Sequence, residues 1–353
     1  MSHCEGIYVV RITENEVITL YIFDAHIDTL LRFIEEGLEG QGLRMLTGGH
    51  VSLEKIQAAG IGGQIFAVFV PPRYRQGLAL HKALQMVEIF WKNMETLPDH
   101  FGVIQSSEDV LTWANQGKVG ALLSLEGGEP LQGEISHLHL FYRLGVRAIT
   151  LTWNHRNELA DGVGERDTAY GLSRFGCLVV EEMNRLGMII DVSHLSETGF
   201  WDVIKLSKDP IMASHSNARV LRDHPRNLWD NQIKAIADTG GVIGVNFCPA
   251  FVTDTDKQKA TIDHLVEHIC YLVEVGGSNS VGLGSDYDGI TETPIGLEDI
   301  STVGTLSQKL RAKGYKEDVI EKIMGGNFQR LIRQVLPKKA SEKRFCRKYF
   351  DNI

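Results

Sequence analysis

Cysteine is sparse in this chain of 353 residues, and the five present (Cys4, Cys177, Cys248, Cys270 and Cys346) share no CxxC spacing. An odd, scattered set of thiols argues against a disulfide framework or a zinc knuckle and for the reducing cytoplasm. No stretch of about 18 apolar residues occurs, so no membrane span is expected. Residues 1–20 carry Glu5, Arg11, Glu14 and Glu16 where a signal peptide needs an apolar centre. Lys338, Lys339 and Lys343 make the end a charged tail rather than a lipid-anchor signal. There is no long basic run and the formal net charge is −9, which argues against nucleic acid as the main partner. No Gly-rich phosphate fingerprint follows an early strand, which disfavours a doubly wound nucleotide fold.

What the chain does have is eight short apolar runs with helical segments between them. The runs are 23–28, 64–70, 120–128, 146–154, 188–194, 210–216, 241–247 and 280–288. Helices are expected between them, at Leu53 to Ala59, 78–95, Ser173 to Leu186 closing at Gly187, and 259–275 among others. Runs this apolar fit parallel strands buried on both faces. Eight such units in about 265 residues fit the α/β class as a (β/α)8 TIM barrel. The expected organisation is an extension of unassigned role over 1–22, the barrel over 23–336 and a tail over 337–353.

Metal-competent residues stand at the C-terminal ends of these runs. The first ends on His26 and Asp28, the third on Glu126, the fifth on His194, the sixth on His215 and the eighth on Asp286. Taken singly, a His or Asp after a strand is most often a cap or a turn residue. A barrel brings all strand ends to one face, so together they predict a metal site. Five ligands are too many for one tetrahedral zinc and suit two ions sharing a carboxylate. Glu126 is the natural bridge, His26 and Asp28 serve one ion, His194 and His215 the other, and Asp286 remains for acid–base work. Asp24 is expected to support His26 or its strand neighbours.

With these residues in place the chain resembles the membrane (renal-type) dipeptidases, zinc peptidases of the metal-dependent hydrolase superfamily. The matching segments are 24–28, 124–128, 190–194, 214–216, Arg226-Asn227, 245–247 and 284–289, in family order from about residue 23 to 330. The resemblance implies a barrel with two Zn2+ bridged by Glu126, and a homodimer. It also implies that Arg226 binds the C-terminal carboxylate of a dipeptide substrate, with Asn227 beside it. The expected reaction is hydrolysis of free dipeptides, including those with a D-residue at the C-terminal position, by a hydroxide shared between the metals. A related barrel hydrolase acting on another amide, lactam or ester is the alternative, and a non-catalytic metal-binding scaffold is the third reading. Asp28 and Glu126 stand where other superfamily branches carry a second His and a carboxylated Lys, which favours the dipeptidase branch.

Three departures from the family stand out. Many members have a substrate-site His where this chain has Trp153, leaving His155 as the candidate for that place. Phe251 stands where the renal-type enzyme has a carboxylate-binding tyrosine. The signal peptide and lipid-anchor signal of mammalian members are not matched, as in bacterial members. Other motifs are read as structural. His264 and His268, in an H-x-x-E-H pattern, are placed on a solvated helix face, and His137 and His139 point apart on a helix. Arg222, His224 and Pro225 are expected either to shape the carboxylate pocket or only to position the loop that carries Arg226, and Asp161 and Arg166 to line the mouth. Cys248 is expected near the pocket, without the marks of an activated thiol.

Overall fold

The structure is a computed structural model that describes residues 20–165 and 170–339. Most of the N-terminal extension, Arg166 and the tail beyond 339 lie outside the described residues. Nine strands form one parallel sheet: β1 Ile22–Ile27, β2 Ile61–Phe69, β3 Phe101–Val103, β4 Val119–Glu126, β5 Val146–Thr150, β6 Ile189–Asp191, β7 Met212–Ala213, β8 Val242–Val245 and β9 Val281–Leu283. Their order is β2-β1-β9-β8-β7-β6-β5-β4-β3, and an additional β2–β4 pairing closes the ring. Eight strands make the barrel. β4 pairs with β2 along one edge, while its other edge is shared by β3 at residues 119–121 and β5 at 123–126. The short β3 falls outside the eight expected runs, because three residues leave no periodicity to read.

Local signals start and stop the helices as the sequence suggests. Ser52, Ser173 and Ser196 each accept a backbone N–H at a helix start. Gly60 and Gly187 end helices with φ of 68° and 70°. A helix unforeseen in the sequence, Thr29–Glu35, follows Asp28 directly. The last helix, Asn327–Val335, closes the barrel's N-terminal end. Asn327 bonds the Ser278 and Val281 carbonyls, and Arg330 those of Gly240 and Asn279. Phe328 stacks on Phe23 of β1 at 5.6 Å. With that end plugged, the strand C-termini are left as the face where loops build a site. Among the described residues, no helix is long and apolar enough to cross a membrane.

Candidate metal centre

Five of the predicted side chains meet at the barrel mouth, all buried: His26, Asp28, Glu126, His194 and His215. Glu126 is central. Its Oε2 lies 3.3 Å from His26 Nε2, and its Oε1 lies 3.0 Å from His194 Nε2 and 3.6 Å from His215 Nε2. Asp28 Oδ2 is 3.4 Å from His26 Nε2. Two overlapping groups have donor atoms within 4.8 Å of one another, His26 with Glu126 and His215, and His26 with Asp28 and Asp286.

The donors are oriented for cations rather than for each other. His194 Nδ1 meets Asn154 Oδ1 at 2.8 Å, so Nδ1 carries the hydrogen and Nε2 presents a lone pair. Ser214 Oγ donates to Asp191 at 2.5 Å and accepts from His215 Nδ1 at 2.7 Å, which leaves a lone pair on His215 Nε2 as well. These two Nε2 atoms are 2.9 Å apart and both face Glu126 Oε1. Acceptors crowded together in a buried space repel unless positive charge lies among them. His26 Nε2, Asp28 Oδ1 and Glu126 Oε2 are buried without hydrogen-bond partners. Asp28 stands at the N-cap of the helix Thr29–Glu35, yet its side chain makes no capping bond. The capping explanation for this carboxylate therefore fails, and the donor set fits divalent metal.

Burial, then the Glu126 charge, pushes the Asp28 carboxyl up to about 6, and burial pushes Asp286 up to about 7. Burial holds His194 and His215 well below the usual histidine range, the neutral state a metal ligand needs. Asp286 is half-buried, with Oδ2 accepting from Asn246 Nδ2 at 2.9 Å. His194 and Asp286 both have φ of 65°, in the left-handed region. Such strain in non-glycine residues gathers at functional sites. A Cβ on Gly289 would strike Asp28 Oδ2 and Asp286 Oδ1, so only glycine keeps that side clear.

Arg226 is buried on the loop after β7. Its Nη2 donates to the His215 carbonyl at 3.0 Å, while its Nε has no partner. Asn227 donates both amide hydrogens to backbone, to Arg222 O at 2.9 Å and Phe251 O at 2.8 Å. It thus ties the Arg226 loop down. His224 accepts the Arg226 N–H, and the Phe251 ring lies 5.6 Å from the Arg226 guanidinium. A cavity of about 290 Å3 ends on His194 and Arg226, with Ser216, Pro225, Asn227 and Gln232 among its walls. His155 stands apart from the cluster. It is 57% exposed, with Glu165 3.8 Å away.

Several residues with clear work here carried no role in the sequence. Asn154, Asn246, Asp191, Ser214 and Ser285 orient the cluster, and a readable hint is the serine directly before each of His194, His215 and Asp286. Asp161 is bound to Arg156 and the Tyr170 N–H and is itself buried, an anchor for its loop rather than a mouth residue. The solvated face expected for His268 is corrected. It is 1% exposed, accepts Ala218 N–H at 3.2 Å and donates to Val252 O at 2.9 Å. Its face of the helix packs against the β7 loop. His264 bonds Thr261 at its own helix start, and neither residue enters a metal-competent group among the described residues.

The sequence model of the membrane dipeptidases (Peptidase family M19) matches residues 14–344. Dipeptidase tcpJ of Claviceps purpurea (strain 20.1) is 34% identical over 304 residues, 84% of this chain and 71% of that protein. The crystal structure of dipeptidase AC, a metallo peptidase of family M19, aligns with TM-score 0.85 and 31% identity over 90% of this chain and 99% of that one. A metallo peptidase from Rhodobacter sphaeroides, liganded with a phosphinate mimic of the dipeptide L-Ala-D-Ala, aligns with TM-score 0.83 and 29% identity over the same shares. With the barrel, the clustered donors and these relatives together, the chain belongs to the membrane dipeptidase family and is a metallo-dipeptidase.

Proposed function

We propose that the chain is a binuclear zinc dipeptidase that hydrolyses free dipeptides, including those with a D-residue at the C-terminal position. The observation that carries the reading is the two-sided use of Glu126. One oxygen faces His26 beside Asp28, and the other faces His194 and His215. His26 and Asp28 would hold one ion, His194 and His215 the second, and Glu126 both. Zinc bound there supplies Lewis acidity toward the peptide carbonyl and a hydroxide nucleophile near neutral pH.

The chain's own groups do the rest. Asp286 has one oxygen fixed by Asn246, which leaves the other to take a proton and pass it to the leaving amine. Arg226, held by the His215 carbonyl and the Asn227-anchored loop, offers a guanidinium to the substrate's carboxylate. A carboxylate bound so near the reacting centre limits the substrate to one residue beyond the scissile bond. The mimic bound by the Rhodobacter protein has a D-residue in that place, which supports the D-tolerance. The free thiols Cys177, Cys248 and Cys270 accord with a cytoplasmic enzyme.

The test is a dipeptide panel with L- and D-residues at each position, run with metal quantification. We expect two equivalents of zinc per chain and cleavage of dipeptides with either hand at the C-terminal position. Arg226→Ala should lose dipeptide affinity and keep its zinc. A chain loaded with two zinc ions that leaves the whole panel intact would falsify the reading.

A further inference from the structure

We propose that the rings of Phe69 and Trp153 form the subsite for the side chain of the substrate's N-terminal residue, and that this subsite takes a large apolar or aromatic group. The proposal rests on the dipeptidase reading above. In the closed order of strands, β2 lies directly across the barrel from β7. Arg226 follows β7, and the reacting carbonyl must lie at the Glu126 cluster between them. A dipeptide held at both points in line extends its N-terminal residue away from Arg226, toward the β2, β4 and β5 ends.

Two aromatic rings wait there. Phe69 ends β2 as the register partner of Glu126, and Trp153 stands just past β5. Their centroids are 5.3 Å apart, and both rings are half-buried. Trp153 lies 6.0 Å from the His194 ring, so the aromatic platform borders the metal cluster directly. The two rings are tilted by 43° to each other and form an angled apolar wall against which apolar and aromatic groups pack.

Charge nearby does not compete for the role. The Arg75 guanidinium lies 5.5 Å from the Trp153 ring centre, but its Nη2 is 3.2 Å from Glu129 Oε1. Arg75 Nε and Nη2 and Glu129 Oε1 are all buried. None of these atoms makes a hydrogen bond, so the pair is held by opposite charge alone, which leaves little net charge beside the Trp153 ring.

The experiment measures kcat and KM for Gly-Ala, Leu-Ala, Phe-Ala, Glu-Ala and Lys-Ala on the zinc-loaded enzyme and on Phe69→Ala, Phe69→Leu and Trp153→Phe. Inhibition by phosphinate dipeptide mimics with Gly or Phe at the N-terminal position gives a readout independent of turnover. We expect kcat/KM for Phe-Ala to exceed that for Gly-Ala by about 10- to 100-fold. Phe69→Ala should bring that ratio close to unity, mainly through KM, with the same change in the two inhibition constants, and Phe69→Leu should restore part of it. A wild-type ratio at or below one, a preference for Glu-Ala or Lys-Ala, or a ratio unmoved in the variants overturns the subsite. Because Gly-Ala is in the panel, cleavage of it without selectivity defeats the subsite alone, and no cleavage of any dipeptide defeats the dipeptidase reading as well.

Discussion

The two sides of the site are built on one pattern and carry different chemistry. On the β1–β9 side, Asp24 accepts from Ser285 N at 2.8 Å and Ser285 Oγ at 2.6 Å, and the next residue is Asp286. On the β6–β7 side, Asp191 accepts from Ser214 N at 2.9 Å and Ser214 Oγ at 2.5 Å, and the next residue is His215. In each case a buried carboxylate on one strand locks the serine before a site residue on the neighbouring strand. The first lock positions an acid whose pKa burial raises into the neutral range, suited to proton transfer. The second positions an imidazole that burial keeps neutral, suited to holding metal. The β7 side also has clamps of its own, Arg226 on the His215 carbonyl and His268 on Ala218. On the function proposed above, one side moves a proton and the other keeps still.

The strongest blow to that contrast is Glu126→Gln, since this carboxylate belongs to both sides. If the site holds two zinc ions as proposed, the variant should lose both and all measurable activity, as metal analysis and a dipeptide assay would show. Next is Asp286→Asn, expected to lower kcat by roughly 10²- to 10⁴-fold, with metal content and KM close to wild type. A variant that loses an ion instead would reassign Asp286 from proton transfer to metal holding.

The locks themselves separate the sides more finely. Asp191→Asn should weaken binding of one of the two ions by about 10- to 100-fold, measured by competition with a chelator. Asp24→Asn should act chiefly on kcat. If both variants lose metal alike, the division of labour is wrong.

The smallest effect concerns the His268 clamp and pH. Burial lowers its pKa from 6.5 to about 4 in the fold. Below pH ~6.5 the unfolded chain therefore binds a proton that the native state resists. The clamp's contribution is complete above that pH and is lost as pH falls toward 4, by an amount on the order of 3 kcal/mol. A plot of Tm against pH should flatten between about 4 and 6.5 in His268→Gln relative to wild type.

These residues also mark where sequence reading reached its end. The barrel was visible because its runs are apolar on both faces, and the ligands because each ends a run. Asp24 and Ser285 could not be paired by inspection, since 261 positions separate them and only ring closure makes β1 and β9 neighbours. His268 resembled half of a zinc motif because spacing on a helix says nothing about what packs over it. The helix after Asp28 was hidden by the Gly-rich stretch that follows it. Asn227 is expected to contact substrate from its place beside Arg226; its amide donors bond backbone carbonyls, which no neighbour in the sequence announces, and its buried Oδ1 has no partner.

The left-handed backbone at His194 and Asp286 has a consequence for laboratory evolution. Glycine would relieve up to about 1–2 kcal/mol of left-handed strain at each position, offset by about 0.4–1 kcal/mol through the added freedom of the unfolded chain. A selection for thermal tolerance alone does not protect either side chain, although the dipeptidase reading proposed above needs both the His194 imidazole and the Asp286 carboxyl. Any stabilisation campaign on this barrel has to score turnover in every round, because two of its strained backbone positions lie inside the site.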